Sequence, residues 1–207
     1  MPSPTKTAFH GDFVFRIYED VYEPAEDTFL LADNLEVKTG DSVLDIGTGC
    51  GILAILAAAR GSNVIATDLN PCAVLCAREN ARSNQVLTGL HFIRGDLFQP
   101  IRKKQAFDVI LFNPPYLPVK PKESNSWIEA AWSGGISGRK TTDRFTHQAC
   151  EYLKANGSIF LIQSTLSGIE KTISMFAKEN MKSTVAAKQE CPFFETLILL
   201  QVKHSES

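Results

Sequence analysis

Five cysteines stand in this chain with no CxxC pair among them, and the four histidines complete no cluster with them. A zinc site of ordinary spacing is therefore not expected, and an odd count without pairing suggests a reducing compartment. Cys72 and Cys76 share one helix face by spacing and read as core packing. No apolar run reaches the roughly 20 residues that span a bilayer. Met1-Pro2-Ser3-Pro4 has no apolar stretch behind it, so no secretory signal is expected. Strong charge is lacking too: 21 Lys and Arg against 23 Asp and Glu leave a formal net charge of -2. A nucleic-acid partner gains no overall attraction from that balance. Arg102, Lys103 and Lys104, or Lys120 with Lys122, could form a local basic patch, although such residues are more often a solvated loop face. There is no internal repeat and no low-complexity tract. These absences leave a soluble, cytoplasmic protein as the expectation, with the nucleus open for a eukaryotic source.

What is present fits one α/β domain: 207 residues, 44% of them hydrophobic. Residues 1–20 read as a polar, irregular segment, 21–203 as a single domain and 204–207 as a tail. Residues 26–35 form the first expected helix. Strands are then expected at Ser42–Ile46, 63–67, Leu90–Arg94, Phe107–Phe112, 157–163, 182–187 and 196–202. Helices are expected at Ile52–Ala59, 71–82, 143–154 and 167–178, with Asn70 as cap and Pro71 in the first turn of the second of these. Residues 113–139 read as a long loop. Strands alternating with helices argue for a parallel sheet covered on both faces, with ligands bound beyond the carboxyl ends of its strands.

The densest signal is Val43-Leu44-Asp45-Ile46-Gly47-Thr48-Gly49-Cys50-Gly51. A buried strand feeds a glycine turn that opens a helix, and glycine allows a sharp turn and close ligand approach. Asp68 follows at the end of the next strand, where a carboxylate can accept both ribose hydroxyl protons and disfavours a 2′-phosphate. A plainer reading of Asp68 is that it only precedes the next helix cap. The dinucleotide fingerprint wants a third glycine where Ile52 stands. The spacing Asp45-x-Gly47-x-Gly49-x-Gly51 instead resembles motif I of class I methyltransferases. That resemblance implies S-adenosyl-L-methionine as cofactor, S-adenosyl-L-homocysteine as product and no metal. It implies that Asp45, with Gly47 and Gly49 beside it, helps to hold the methionine amino group, and that Asp96-Leu97 lies at the adenine edge. Many class I enzymes carry Glu at the first acid; Asp45 keeps the charge with a shorter reach.

The fourth expected strand ends in Asn113-Pro114-Pro115-Tyr116. Proline fixes the backbone and removes competing amide donors. A rigid turn is one reading. The other is chemical. An amide or aromatic amine nitrogen is a poor nucleophile because its lone pair is delocalised. The Asn113 side-chain oxygen and the Pro114 carbonyl can each accept one N–H of a target NH₂ group, and Tyr116 can stack on the planar group. Positioning then supplies most of the catalysis. On this reading Asn113, Pro114 and Tyr116 are catalytic, and Pro115 completes the substrate contact. The tetrapeptide resembles that of adenine-N6, some guanine-N2 and glutamine-N5 methyltransferases.

Two further segments narrow the likeness. Residues 21–31, from Val21-Tyr22-Glu23-Pro24 through Ala25-Glu26-Asp27-Thr28-Phe29, are similar to the leading segment of eukaryotic and archaeal HemK-type release-factor glutamine methyltransferases. Residues 128–135, then Gly138-Arg139 and Asp143-Arg144-Phe145, resemble the loop that follows the catalytic motif there. The resemblance covers nearly the whole chain. It implies a Rossmann-like α/β fold of about seven strands with the last antiparallel and helices on both faces. It also implies action on the glutamine of a Gly-Gly-Gln motif in translation termination factors, with protein lysine as a further substrate of eukaryotic members. Thr28 and Asn113 are implied to lie against the cofactor, although Asp27 and Thr28 also read simply as the first turn of a helix. A small zinc-binding activator subunit is implied as partner, and the Leu90–Arg94 edge is where an added strand is expected. The chain departs from bacterial HemK enzymes in having no helical domain ahead of the catalytic one. Two other readings stay open: a nucleic-acid adenine-N6 methyltransferase, disfavoured by length and charge, and a non-catalytic subunit, disfavoured by the presence of both Asp68 and Asn113.

Overall fold

The computed structural model describes residues 4–102, 107–119, 126–192 and 195–205. Lys103, Lys104, Lys120 and Lys122 of the expected basic patch lie outside the described residues. The chain opens with two strands, β1 (Pro4–His10) and β2 (Phe13–Tyr18), then α1 (Glu26–Asp33), β3 (Ser42–Ile46), α2 (Ile52–Ala59), β4 (Asn63–Asp68), α3 (Pro71–Ser83), β5 (Leu90–Arg94) and β6 (Phe107–Phe112). It continues with α4 (Trp127–Trp132), α5 (Lys140–Thr146), β7 (Leu153–Ser164), α6 (Ile169–Lys178), β8 (Met181–Glu190) and β9 (Thr196–His204).

Seven strands form one sheet in the order β5-β4-β3-β6-β7-β9-β8. The first five pair in parallel, and β9 runs antiparallel between β7 and β8. The expected sheet and its antiparallel last strand are both found. Period-two alternation explains the two layers. Val43, Val64, Val109, Leu111, Phe160 and Ile162 face one core with the apolar α2 and the Ala73 and Cys76 side of α3. Leu44, Ile46, Ile110, Phe112, Ile159 and Leu161 face the other, with Phe145 of α5 and Ile169 and Phe176 of α6. From β3 the chain steps outward to β4 and β5, then crosses back to β6 on the other side of β3. The sheet therefore has its switch point between the carboxyl ends of β3 and β6, where a crevice forms.

Four expectations need correction. Within the segment 1–20, read as irregular, residues 4–18 are not: β1 and β2 form a hairpin that pairs His10 with Phe13 and Phe9 with Val14. The alternation of Phe13, Phe15 and Ile17 is the local signal, with Phe15 and Ile17 fully buried. The decisive support is distant. Asn80 and Asn84, one turn apart on α3, each pair with a β2 backbone residue as a neighbouring strand would. Asn80 Oδ1 accepts from Arg16 N at 2.9 Å while its Nδ2 donates to Arg16 O at 2.9 Å. Asn84 does the same to Val14 at 3.0 and 2.8 Å. Second, the expected loop 113–139 contains α4, held by Leu117 N donating to Trp132 O at 3.1 Å and Gly134 N donating to Leu117 O at 2.9 Å. Third, 143–154 is not one helix. Phe145, Ala149 and Tyr152 stand at helical spacing, yet α5 ends at Thr146, a 3₁₀ turn spans Ala149–Tyr152, and Leu153 pairs with Phe107 in the sheet. Sheet pairing takes the last residues away from the helix. The expected tail also begins later, since His204 belongs to β9.

Candidate active site

A cavity of about 940 Å³ opens at the β3/β6 switch point and is walled by the loops after β3, β4, β5 and β6, by the start of α1 and by α4. Thr28, Asp45's neighbours Gly47, Thr48 and Gly49, then Asp68, Asp96, Leu97, Asn113, Pro114, Pro115 and Tyr116 all line it. Asp45 itself sits just behind that wall, 1% exposed.

The glycine loop is shaped by its own hydrogen bonds. Asp68 Oδ2 accepts from Gly49 N at 2.9 Å and Oδ1 accepts from Asn70 N at 2.8 Å, so the carboxylate ties the loops after β3 and β4 together. Gly49 has φ +57°, and a Cβ there would meet no protein atom within 4 Å. A side chain at Gly49 would project into open space beside the cavity rather than into the fold, so the glycine keeps room for a ligand. Gly51 serves packing: with φ +89°, its Cβ would stand 2.8 Å from the Ala77 Cβ. Asn70 caps α3 by accepting from Cys72 N at 2.9 Å, as its sequence position suggests.

Two acids face a low-dielectric wall. Asp45 Oδ2 accepts from the Thr48 hydroxyl at 2.6 Å, while Oδ1 has no hydrogen-bond partner. Burial pushes the Asp45 carboxyl up to about 7; the Thr48 hydrogen bond opposes that rise and the nearby Asp68 charge adds to it. Burial also raises Asp68, against the backbone N–H groups that favour its charged form.

The tetrapeptide stands at the end of β6. Asn113 Nδ2 donates to Thr28 Oγ1 at 3.1 Å, and Asn113 Oδ1 has no partner. Thr28 Oγ1 donates in turn to Asp27 Oδ1 at 3.1 Å, and Thr28 N donates to the same oxygen at 2.6 Å. Tyr116 OH donates to Asp27 Oδ2 at 3.1 Å, and Tyr22 OH reaches it at 3.2 Å. Burial, reinforced by the Asp27 charge, pushes both phenols well above the usual tyrosine range and keeps them protonated donors. Behind Tyr116 the chain is packed without slack: a Cβ at Gly138, where φ is +69°, would stand 2.3 Å from Tyr116 O. The wall thus offers one rigid amide with a free acceptor end and one aromatic ring clamped by its hydroxyl. Such a pair can accept an N–H from, and stack on, a planar amide.

The structure brings the expected site residues to one cavity, apart from Asp45 behind its wall, but not in equal states. Asp96 Oδ2 accepts from Arg144 Nη2 at 2.7 Å, a salt bridge that sequence reasoning did not foresee. Leu97 is buried with φ +49°, a left-handed conformation that branched side chains seldom adopt and that is found near functional sites. Tyr22, Asp27 and Arg144 were missed as site residues; their quoted segments gave no local sign of which side chains turn inward. Trp127, Glu129 and Trp132 of α4 also line the cavity, in the stretch read as loop. Among the described residues no group of three or more His, Cys, Asp or Glu side chains could hold a metal, and no helix is long and apolar enough to cross a membrane.

Comparison with known proteins meets this geometry from outside. The family model described as the methyltransferase small domain matches residues 24–131, just over half of the chain. A Methanocaldococcus jannaschii protein assigned to the protein N5-glutamine methyltransferases is 41% identical over 89% of this chain and 92% of its own length. Human methyltransferase HEMK2 is 35% identical, covering 96% of this chain and 97% of its own. Among solved structures, the E. cuniculi Mtq2–Trm112 complex, described as responsible for methylation of the eRF1 translation termination factor, aligns at TM-score 0.67 and 26% identity. That alignment covers 90% of this chain and 99% of the other.

Proposed function

The chain belongs to the methyltransferase small-domain family, in its HemK-type class I S-adenosylmethionine-dependent branch, and from that premise we propose its reaction: methyl transfer to the side-chain amide nitrogen of the glutamine in a Gly-Gly-Gln motif of a translation termination factor. The observation that carries this reading is the Asn113 side chain on the wall of the β3/β6 cavity, whose buried Oδ1 has no hydrogen-bond partner. It is an acceptor with nothing inside the protein to bind.

The residues fit the cofactor. Gly49 leaves the loop open, Gly47 turns it against the Phe112 ring, Asp68 offers lone pairs beyond its two backbone donors, and the Asp45 carboxylate behind the wall favours a cationic amino group in the cavity. Thr28, Asp96, Leu97 and Asn113 complete the set that would hold it. S-adenosyl-L-methionine, when bound, supplies an electrophilic methyl group and is left as S-adenosyl-L-homocysteine. The chain's own residues do the rest. Asn113 Oδ1 accepts one N–H of the target amide and the Pro114 carbonyl accepts the other, which turns the nitrogen lone pair out of conjugation. Pro115 fixes the turn, and Tyr116, held through its hydroxyl, stacks on the amide plane. No strong base is needed, because the nitrogen loses its proton readily once it carries the extra bond. The donor set needs no metal.

Two finer points accompany the reading. The partner is proposed to be a small zinc-binding activator subunit lying along β5, supported by the two-protein assembly of the E. cuniculi relative. The place of action is proposed to be the cytoplasm, where termination factors work, with the nucleus as a further site in a eukaryotic source. The test is mass spectrometry of labelled-methyl transfer to a purified termination factor with peptide mapping, beside lysine-containing protein and adenine-containing oligonucleotide. Label on the Gly-Gly-Gln glutamine is expected, and label only on the oligonucleotide would overturn the reading. Asn113→Ala should lose turnover by on the order of 10²-fold or more, far more than it loses in cofactor affinity, because its oxygen acts on the target nitrogen.

A further inference from the structure

An amide side chain has two ends of the same shape and opposite polarity. Asn113 serves the proposed reaction only with its oxygen toward the target, so something must forbid the flipped form. We propose that Asp27 and Thr28 are positioning residues that fix the polarity of the Asn113 amide; this rests on the reading of Asn113 given above. The protons set the order. A threonine hydroxyl has one proton, and that of Thr28 goes to Asp27 Oδ1 at 3.1 Å. Toward Asn113 it can then only accept, so the amide must present Nδ2, which it does at 3.1 Å. Oδ1 is left as the free end.

Asp27 starts the chain of polarity because a carboxylate only accepts. It is 4% exposed and receives Thr28 N, Thr28 Oγ1, Tyr22 OH and Tyr116 OH. Every neighbour donates toward it, so the order runs from Asn113 through Thr28 to Asp27. Tyr116 is tied to the same carboxylate. The first and last side chains of the tetrapeptide therefore share one buried anchor on the first turn of α1, 86 and 89 residues away from their partners in one case through Thr28 and in the other directly. An asparagine at position 27 would bring a donor to this point. Thr28 could then turn its proton to Asn113, and the amide could flip with its NH₂ toward the target, where it would repel an N–H.

The experiment compares Asp27→Asn, Thr28→Val and Thr28→Ser in the full chain, purified with its partner subunit where it needs one. Turnover is measured at saturating cofactor, and cofactor affinity is measured separately. Asp27→Asn and Thr28→Val should lower kcat by about 10²-fold, the scale of a misplaced reacting group. Thr28→Ser, which keeps the hydroxyl, should recover most of it. A second readout does not depend on activity: in the wild type the Asn113 side-chain NH₂ should show a nuclear Overhauser contact to the Thr28 methyl group. Asp27→Asn should abolish that contact. Wild-type kcat in Thr28→Val, or a loss found only in cofactor KM, would overturn the proposal. A persisting Asn113–Thr28 contact in Asp27→Asn would do the same. Should the wild-type protein methylate no termination factor, the functional reading fails, and the Overhauser contact still decides the orientation.

Discussion

On the proposed role of Asp45, cofactor capture is linked to pH through this one residue. Burial holds its proton up to about pH 7, far above the usual value of 3.8. A cationic amino group in the cavity favours the ionised form, so binding below pH 7 must first expel a proton. Each pH unit below the pKa costs about 1.4 kcal/mol, or about tenfold in affinity. Cofactor should therefore bind about tenfold more weakly near pH 6 than above pH 7, with proton release visible by calorimetry in buffers of different ionisation enthalpy. Asp45→Asn should flatten that dependence; an equally steep slope in the variant would assign the titration to another group. The sign for stability is opposite. Between about pH 4 and 7 the unfolded chain has released this proton while the folded chain still holds it. The ligand-free fold thus loses stability as pH rises through that window.

At the scale of elements, α3 carries more than its own face of the sheet. Asn80 is 1% exposed and, besides bridging Arg16, donates to Cys50 O at 2.9 Å. One side chain therefore pins the N-terminal hairpin to the glycine loop. Asn80→Ala would leave the carbonyl of the buried Cys50 without this donor, at a cost of about 1–3 kcal/mol, and would take Asn80 from the Arg16 N–H, while the Arg16 carbonyl keeps the Cys76 thiol at 3.1 Å. The denaturation midpoint should fall accordingly, with amide exchange rising first in β2; an unchanged midpoint would mean that Phe15 and Ile17 hold the hairpin by burial alone. This element also shows where sequence reading stops. β3, α2, β5 and β6 were legible to the residue because a short apolar run, or an all-apolar helix behind glycine, has one reading. The hairpin was not, because half of its strand pairing comes from asparagines some 65 positions away. The 143–154 stretch was misread for a related reason: its helical spacing is real, but Leu153 is claimed by Phe107 across the sheet. In the site, Gly47, Gly49, Asp68 and the tetrapeptide were legible from motif and strand context. Asp27, Tyr22 and Arg144 act through partners on other elements, and no local pattern marks them.

At the scale of the whole molecule, the two edge strands of the seven-stranded sheet, β5 and β8, differ. β8 has ten residues, carries Lys182 and Lys188, and has a register break between Val185 and Ala187. Charge and a bulge are the usual defences of an edge strand against pairing. β5 has five residues without a bulge; Leu90 is buried, Phe92 and Ile93 are half-buried, and of its exposed side chains only Arg94 carries full charge. Exposed leucines flank it. Leu87, whose carbonyl closes the turn into β5, is 49% exposed, and Leu69, whose carbonyl accepts from Arg94 Nε at 3.4 Å, is 51% exposed. Leu69 also lines the cavity. A strand added along β5 would pair the free backbone groups, cover both leucines and extend the cavity rim, which joins solubility to substrate docking in one contact. If the proposed partner subunit binds there, the lone chain should be poorly soluble or weakly active, and co-expression with that subunit should rescue it. Hydrogen exchange with and without the partner locates the contact. Protection should rise at Leu90–Arg94 and at the Leu87 turn, because those amides gain hydrogen-bond acceptors or lose water. Protection rising along β8 instead would move the interface to the far edge, and Leu69 could then have no part in it.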